Sequence, residues 1–334
     1  MKTILIMPIL LGFFVTLFSL PIWIKKAKQI GLAWEDMHKK DGSKKIAGSG
    51  GIVVFSGFIL SILIYIAIIT FYFGSTNYLI NIFSLTTSIL IIGLVGFIDD
   101  LMGWRKGGLS KKSRLILVLF AAIPLAVINA GESMMMGIEF GLLYPLFFIP
   151  LGIAGASVSF NFIAGYNGLE TSQGILILSA LTIVTWLTGN SWLSLISLMM
   201  VFCLIAFYIF NKYPAKVFPG DILTYSVGAL IAIIAILGNI EKIAVFFFIP
   251  YILETGLKLR GGLKKQSFAK INEKEGLEIP YKKFYGLEHI AIYLLKKIKK
   301  GKNVNEKEVV YLINAFQALI IILGLILFKQ TIFI

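Results

Sequence analysis

Ten nearly uninterrupted apolar stretches, each close to the length that crosses a bilayer as a helix, decide what this chain can become. They cover about 3–23, 49–73, 78–98, 114–130, 142–163, 172–188, 192–211, 221–239, 242–258 and 310–333. A helix needs about 20 residues to span the hydrocarbon core, so the pattern predicts an all-α polytopic membrane protein with about ten transmembrane helices. Composition agrees. Of the 334 residues, 58% are apolar and 14% charged, whereas a soluble domain is about half apolar and a quarter charged. The first stretch is too long for a signal-peptide core and lacks a small-residue cleavage site, so it is expected to remain as a span. Residues 1–334 read as a single transmembrane domain without tandem repeats or low-complexity tracts. The lone Cys203 lies within an apolar stretch, where it reads as a packing residue.

The formal net charge is +14, but its placement argues against a nucleic-acid partner. The connections after stretches 1, 3, 5, 7 and 9 (roughly 24–48, 99–114, 163–171, 211–220 and 258–309) hold 28 of the 31 Lys and Arg residues. Cytoplasmic loops carry such an excess, so these five connections are expected in the cytoplasm and both termini outside. The remaining connections are short. The long loop 258–309 is expected to hold short helices or a hairpin. Around 285–300, Ile290, Tyr293, Leu294 and Ile298 recur at helical spacing beside Lys296, Lys297, Lys299 and Lys300. That pattern fits a helix against anionic headgroups or a solvated one.

Polar groups at membrane-helix ends are costly and usually functional, and three groups fall on the basic side. Asp99 and Asp100 close the third stretch and are followed by Arg105, Lys106, Lys111, Lys112 and Arg114. Carboxylates beside cations suit a site for a divalent metal and phosphates, or simply a solvated helix end. Asn161 and Asn167, in Asn161-Phe162-Ile163-Ala164-Gly165-Tyr166-Asn167-Gly168-Leu169-Glu170, offer carbonyl oxygens to a hard cation. A helix stop at Asn-Gly accounts for Asn167 but not for Asn161. Asp221, after Phe218-Pro219-Gly220, opens the eighth stretch either as a helix N-cap or as a metal ligand. A transporter would concentrate its polar groups near the bilayer midplane. Here the middles of the spans are nearly free of charge.

At these residues the chain resembles the polyprenyl-phosphate N-acetylhexosamine-1-phosphate transferase superfamily, most closely its archaeal and eukaryotic dolichyl-phosphate branch. Gly96-Phe97-Ile98-Asp99-Asp100 is similar to the family's double-aspartate motif, Asn161 through Glu170 to its asparagine motif, and Tyr213 through Asp221 to its Phe-x-Gly-Asp motif. Asp36-Met37-His38-Lys39 followed by Gly48-Ser49-Gly50-Gly51 is similar to the first cytoplasmic motif. The resemblance implies a single transmembrane catalytic domain at the cell membrane with its site on the cytoplasmic side. It would transfer a sugar-1-phosphate from a UDP-sugar to polyprenyl or dolichyl phosphate, the first membrane step of glycan assembly.

It also implies roles. Asn161 and Asp221 would be ligands of magnesium, with manganese as the alternative. Asp99 and Asp100 would orient the metal–phosphate cluster or help deprotonate the lipid phosphate. The family's phosphate-holding lysine falls at Arg114 here, with Lys111 and Lys112 nearby. Asn167 would contact the uracil end of the nucleotide. Asp36, Lys39 and Glu170 join the substrate-binding set, and Lys264, Lys265 and Lys270 stand where the family carries an arginine- or histidine-rich clamp. The partners implied are the UDP-sugar, the polyprenyl phosphate and the bilayer, with a homodimer allowed. An apolar, lipid-facing cleft is expected near the fifth and eighth spans. The rival readings are a multi-span transporter and a bacterial-type undecaprenyl-phosphate transferase.

Overall fold

The structure, a computed structural model, describes residues 3–38, 45–135 and 138–332. After a single 3-10 turn, α1 (Ile6–Ile30) leads to a two-stranded antiparallel hairpin, β1 (Ala33–Glu35) and β2 (Lys45–Ala47), in which Trp34 pairs with Ile46. There follow α2 (Gly51–Ala67), prolonged by a π turn to Tyr72, then α3 (Leu79–Lys106), α4 (Lys111–Phe120) and α5 (Ile123–Val127). A small hairpin, β3 (Met134–Met135) and β4 (Ile138–Glu139), precedes α6 (Ile149–Phe162), α7 (Leu169–Leu187), α8 (Ser191–Asn211) and α9 (Asp221–Leu237). The chain ends with α10 (Glu241–Phe247), α11 (Ile249–Arg260), the hairpin β5 (Lys270–Ile271) and β6 (Leu277–Glu278), α12 (Leu287–Ile298), α13 (Glu306–Leu327) and α14 (Lys329–Ile332).

Among the described residues, seven helical segments are long and apolar enough to cross a membrane: Thr3–Ile30, Gly51–Tyr72, Leu79–Arg105, Tyr144–Phe162, Leu169–Leu187, Ser191–Asn211 and Glu306–Leu327. The other three expected spans take different forms. The stretch at 114–130 is two helices, α4 and α5, and the stretch at 242–258 is likewise α10 and α11. Each break has a proline just beyond it, Pro124 and Pro250 in the first turns of α5 and α11. Proline has no N–H to donate, and its ring crowds the carbonyl one turn back. Apolar periodicity continues through both breaks, so the hydropathy pattern alone did not reveal them.

The eighth stretch is α9, 17 residues long. Every residue from Ile222 to Leu237 is buried, so α9 is the inner post of the bundle and packs against α2, α3, α6 and α7. Small residues bring its neighbours close, as in membrane helix packing generally. A Cβ on Gly228 would lie 2.6 Å from the Ala156 carbonyl oxygen of α6. A Cβ on Gly96 would lie 2.7 Å from the Asp221 carbonyl carbon, and so joins α3 to the first turn of α9.

The connections before α2 and α9 are stitched together by their backbones. Phe218 donates its N–H to the Ala47 carbonyl at 2.8 Å, and Gly50 and Gly51 donate to Phe218 and Pro219 carbonyls at 2.9 Å each. Asn211, buried at the end of α8, donates Nδ2 to the Val217 carbonyl at 2.9 Å and accepts from Thr171 Oγ1 at 2.7 Å. Two connections 170 residues apart in sequence are thereby held at one end of the bundle beside the last turns of α3 and α6.

Candidate active site

The ends of α3, α6 and α9 and the stitched connections enclose a cavity of about 730 Å³. Asp36, Asp99, Asp100, Arg114, Asn161, Glu170 and Asp221, seven of the residues singled out from sequence, line it.

Asp99 and Asp100 have different work. Asp100 is buried, and its Oδ1 accepts the Asp221 N–H at 2.7 Å while Oδ2 accepts the Ile222 N–H at 3.4 Å. The first N–H groups of a helix have no partner within the helix. A carboxylate from α3 therefore caps α9 from outside, where negative charge is favoured. The N-cap of α9 is Gly220, at φ +75°, and a Cβ there would collide with the Asp100 carboxylate. Asp221 thus sits one residue inside the helix and is not its N-cap, which leaves its side chain facing the cavity. Asp99 accepts the Leu109 N–H at 2.8 Å and pairs with Arg114 Nε at 2.6 Å. Asp99 and Asp221 lie close enough to interact electrostatically. Two carboxylates at that separation repel unless a proton or cation lies between them.

Asn161 Oδ1, at the end of α6, accepts from Thr224 Oγ1 of α9 at 3.0 Å. A carbonyl oxygen has a second lone pair, and this one lies within the same cavity as Asp221. Glu170 opens α7 and accepts the Gly165 N–H at 2.8 Å through Oε1. Its buried Oε2 meets no hydrogen-bond donor among the described residues. Among the described residues, six acidic side chains (Glu35, Asp36, Asp99, Asp100, Glu170 and Asp221) and two cations, Lys45 and Arg114, line the cavity.

Asn167 lies just behind the wall. It is buried, donates its N–H to Glu306 Oε1 at 2.7 Å, and donates Nδ2 to Asp36 Oδ2 at 3.2 Å and Glu306 Oε2 at 3.4 Å. His38 completes this group, with Nδ1 3.5 Å from Glu306 Oε1. Its Nε2 accepts the Ala269 N–H at 3.3 Å. His38 also donates its backbone N–H to Asp36 Oδ1 at 3.2 Å, and the ligand atoms of Asp36, His38 and Glu306 all lie within 4.8 Å of one another, close enough to surround an ion. The Tyr166 ring rests on His38, centroids 4.3 Å apart, and its burial raises the phenol pKa well above the usual range, so it stays protonated.

Other expected residues lie elsewhere. Lys111 donates to the Leu263 carbonyl at 3.0 Å. Lys264, Lys265 and Lys270 are exposed and do not line the cavity, and the Lys265 ammonium lies 5.0 Å from the Tyr281 ring centre. From that loop the wall receives Gln266 and Phe268 instead. Lys39 falls outside the described residues. Sequence reasoning missed Glu35, Lys45, Tyr166, Thr224, Gln266 and Phe268. Lys45 was one lysine among seven in its connection, and Thr224 was signalled only by its place one turn after Asp221.

Two apolar grooves run along α6. One, about 810 Å³, runs between α4, α5 and α6 and includes Leu115 and Phe162. The other, about 650 Å³, lies between α6, α9, α10 and α11. Arg114 and Asn161 thus face the polar cavity while their chain neighbours Leu115 and Phe162 line the first groove.

A carboxylate-lined cavity at one end of an apolar helix bundle, with an apolar groove beside it, is the site of a polytopic membrane protein. Residues 82–239 match the sequence profile described as glycosyl transferase family 4. The full chain aligns at 33% identity with a protein of Saccharolobus solfataricus, covering 99% of this chain and 98% of that one. The chain belongs to glycosyl transferase family 4. The Saccharolobus relative is provisionally named UDP-N-acetylglucosamine–dolichyl-phosphate N-acetylglucosaminephosphotransferase. A Dictyostelium discoideum protein of that name is 31% identical over 67% of this chain and 64% of its own. A phospho-N-acetylmuramoyl-pentapeptide-transferase of Halalkalibacterium halodurans is 29% identical over 76% of this chain and 81% of its own.

Proposed function

We propose that this protein transfers N-acetylglucosamine 1-phosphate, or a related N-acetylhexosamine 1-phosphate, from a UDP-sugar to dolichyl or another polyprenyl phosphate, releasing UMP. The observation that carries the reading is the adjacency just described: polar groups for a nucleotide diphosphate and a groove for an isoprenoid lie one residue apart on both α4 and α6. The relatives' names support the same reaction. In this reading ten helical segments cross the membrane, both termini lie outside, and the cavity opens to the cytoplasm on the side rich in Lys and Arg.

In the reaction, an ionised oxygen of the lipid phosphate attacks the phosphorus that carries the sugar. A new P–O bond forms, the bond from that phosphorus to the bridging oxygen breaks, and UMP departs with that oxygen. No proton need move. The obstacle is charge, because both reactants are anions. Among the described residues, only Arg114 and Lys45 set positive charge in the lining against six acidic side chains. The carboxylate-rich lining therefore fits a divalent cation held by Asp221 and Asn161, with Asp99 close by. Magnesium or manganese there would screen the diphosphate and stabilise the leaving group. Asp100 fixes the first turn of α9 and so aims Asp221. Arg114, held by Asp99, presents its remaining donors to phosphate.

Chelation with EDTA is expected to abolish UMP release by the purified protein given UDP-N-acetylglucosamine and dolichyl phosphate, and added magnesium to restore it. Undiminished turnover in EDTA would reject the metal. The sugar is identified by mass spectrometry of the lipid product from a panel of UDP-sugars, and no lipid-linked product from any of them would reject the reaction. The exposed lysines should matter little, since solvated charges are screened over about 10 Å. A Lys264→Ala, Lys265→Ala variant should keep KM for the UDP-sugar within about threefold. A larger rise would mean that this loop closes over the substrate.

A further inference from the structure

The long loop between α11 and α13 contains α12 (Leu287–Ile298), whose two halves differ. Leu287, Glu288, His289, Ala291 and Ile292 are buried against the bundle. The C-terminal half carries Tyr293 at 48% exposure, Leu294 at 42% and Ile298 at 72%, with Leu294 and Ile298 continuing the stripe that Leu287 and Ala291 begin. These sit at helical spacing with Lys297 among them, an apolar strip that the protein itself does not cover.

The ends of α12 fix its height. At its start, Leu287 donates its N–H to Glu254 Oε2 at 2.6 Å. Glu254 lies six residues before the end of α11, which is about 9 Å back along that helix. Tyr285 lies against Gly261, where a Cβ would be 3.1 Å from its ring. At the far end, Lys299 Nζ bonds Glu308 in the first turn of α13 at 2.8 and 3.0 Å. A 12-residue helix, about 18 Å long, is thus tied at one end to α11 and at the other to the first turn of α13.

Charge selects what meets its open face. Lys296 pairs with Glu278 at 3.3 Å and Lys299 with Glu308. Lys282, Lys283, Lys297 and Lys300 are exposed and have no ion-pair partner among the described residues. We propose that α12 is an interfacial helix that seats Tyr293, Leu294 and Ile298 among the headgroups of the bilayer holding the protein, with its free lysines selecting anionic lipids. An exposed apolar face flanked by lysines is the signature of helices lying in the plane of the interface, and each lysine near an anionic surface adds to the attraction.

Spin labels test this in the full chain, after buried Cys203→Ala, at Leu294→Cys and Ile298→Cys, with Glu273→Cys as an aqueous reference. In bilayers containing anionic phospholipid, collision with oxygen and with a water-soluble nickel complex should place both α12 labels about 5–10 Å into the headgroup–acyl boundary. The reference should remain in water. In purely zwitterionic bilayers both should move outward, and Lys282→Gln, Lys283→Gln, Lys297→Gln, Lys300→Gln together should erase the difference between the two lipids. Labels freely accessible to nickel in anionic bilayers overturn the proposal. So does equal immersion in both lipids, and so does shielding from both reagents, which would mean that a protein surface covers the helix.

Discussion

Asp221→Asn is expected to lower the rate of UMP release by about 10³-fold while the detergent-purified protein keeps its elution volume and melting temperature. The magnitude follows the loss seen when one preorganised electrostatic group is removed from a reacting centre. Asparagine keeps the shape, and the α9 cap is unaffected because it is made to the Asp221 backbone N–H by Asp100. What is lost is the negative charge facing Asp99 and Asn161. Removing a carboxylate also relieves repulsion from Asp99, so a stable but inactive protein is the diagnostic pair of results. Turnover within tenfold of the parent would remove Asp221 from the reaction.

Arg114→Ala should cost both activity and stability. The guanidinium pairs at 2.6 Å with Asp99, whose side chain is 2% exposed against 30% for Arg114. Deleting the cation leaves a buried carboxylate without its counter-charge. For a fully buried pair that costs 3–5 kcal/mol. Partial exposure of the arginine reduces it to about 2 kcal/mol. The activity should fall by roughly 10²-fold or more. Arg114→Lys should recover most of the stability but less of the rate, because an ammonium cannot pair with Asp99 and present a planar fork to phosphate together. Full rate in the lysine variant would show that only the charge matters.

Asp99, Asp100, Asn161 and Asp221 were legible in sequence because carboxylates and amides at the ends of apolar spans stand out, whereas Asp36 and Glu170 were reached only through the resemblance and Glu35 not at all. Asp36, Asp99, Asp100, Asn161, Glu170 and Asp221 line one cavity. The basic half was not legible in the same way. A lysine in a loop is set there by topology as much as by chemistry, and nothing local distinguishes Lys45, which lines the cavity, from Lys264, which does not. Lys111 is spent on the carbonyl of Leu263, 152 residues away. The division of labour between Asp99 and Asp100 was hidden too, because it depends on where the first turn of α9 falls in space. The helices at 114–120 and 123–127 read as one stretch because the break at Ala121-Ala122 is as apolar as its flanks. The hairpin strands are only two or three residues long, too short for an alternating pattern.

The neighbouring positions of Arg114 with Leu115 and of Asn161 with Phe162 bear on which lipids this protein would accept. A phosphate reaching Arg114 would still have its first isoprene units in contact with Leu115 and Phe162, so the acceptor would never have to leave the bilayer to react. Only the units nearest the phosphate would meet protein, and the remainder of the tail would trail into the membrane unread. Turnover should therefore depend on the geometry and saturation of the first few isoprenes and level off as more are added.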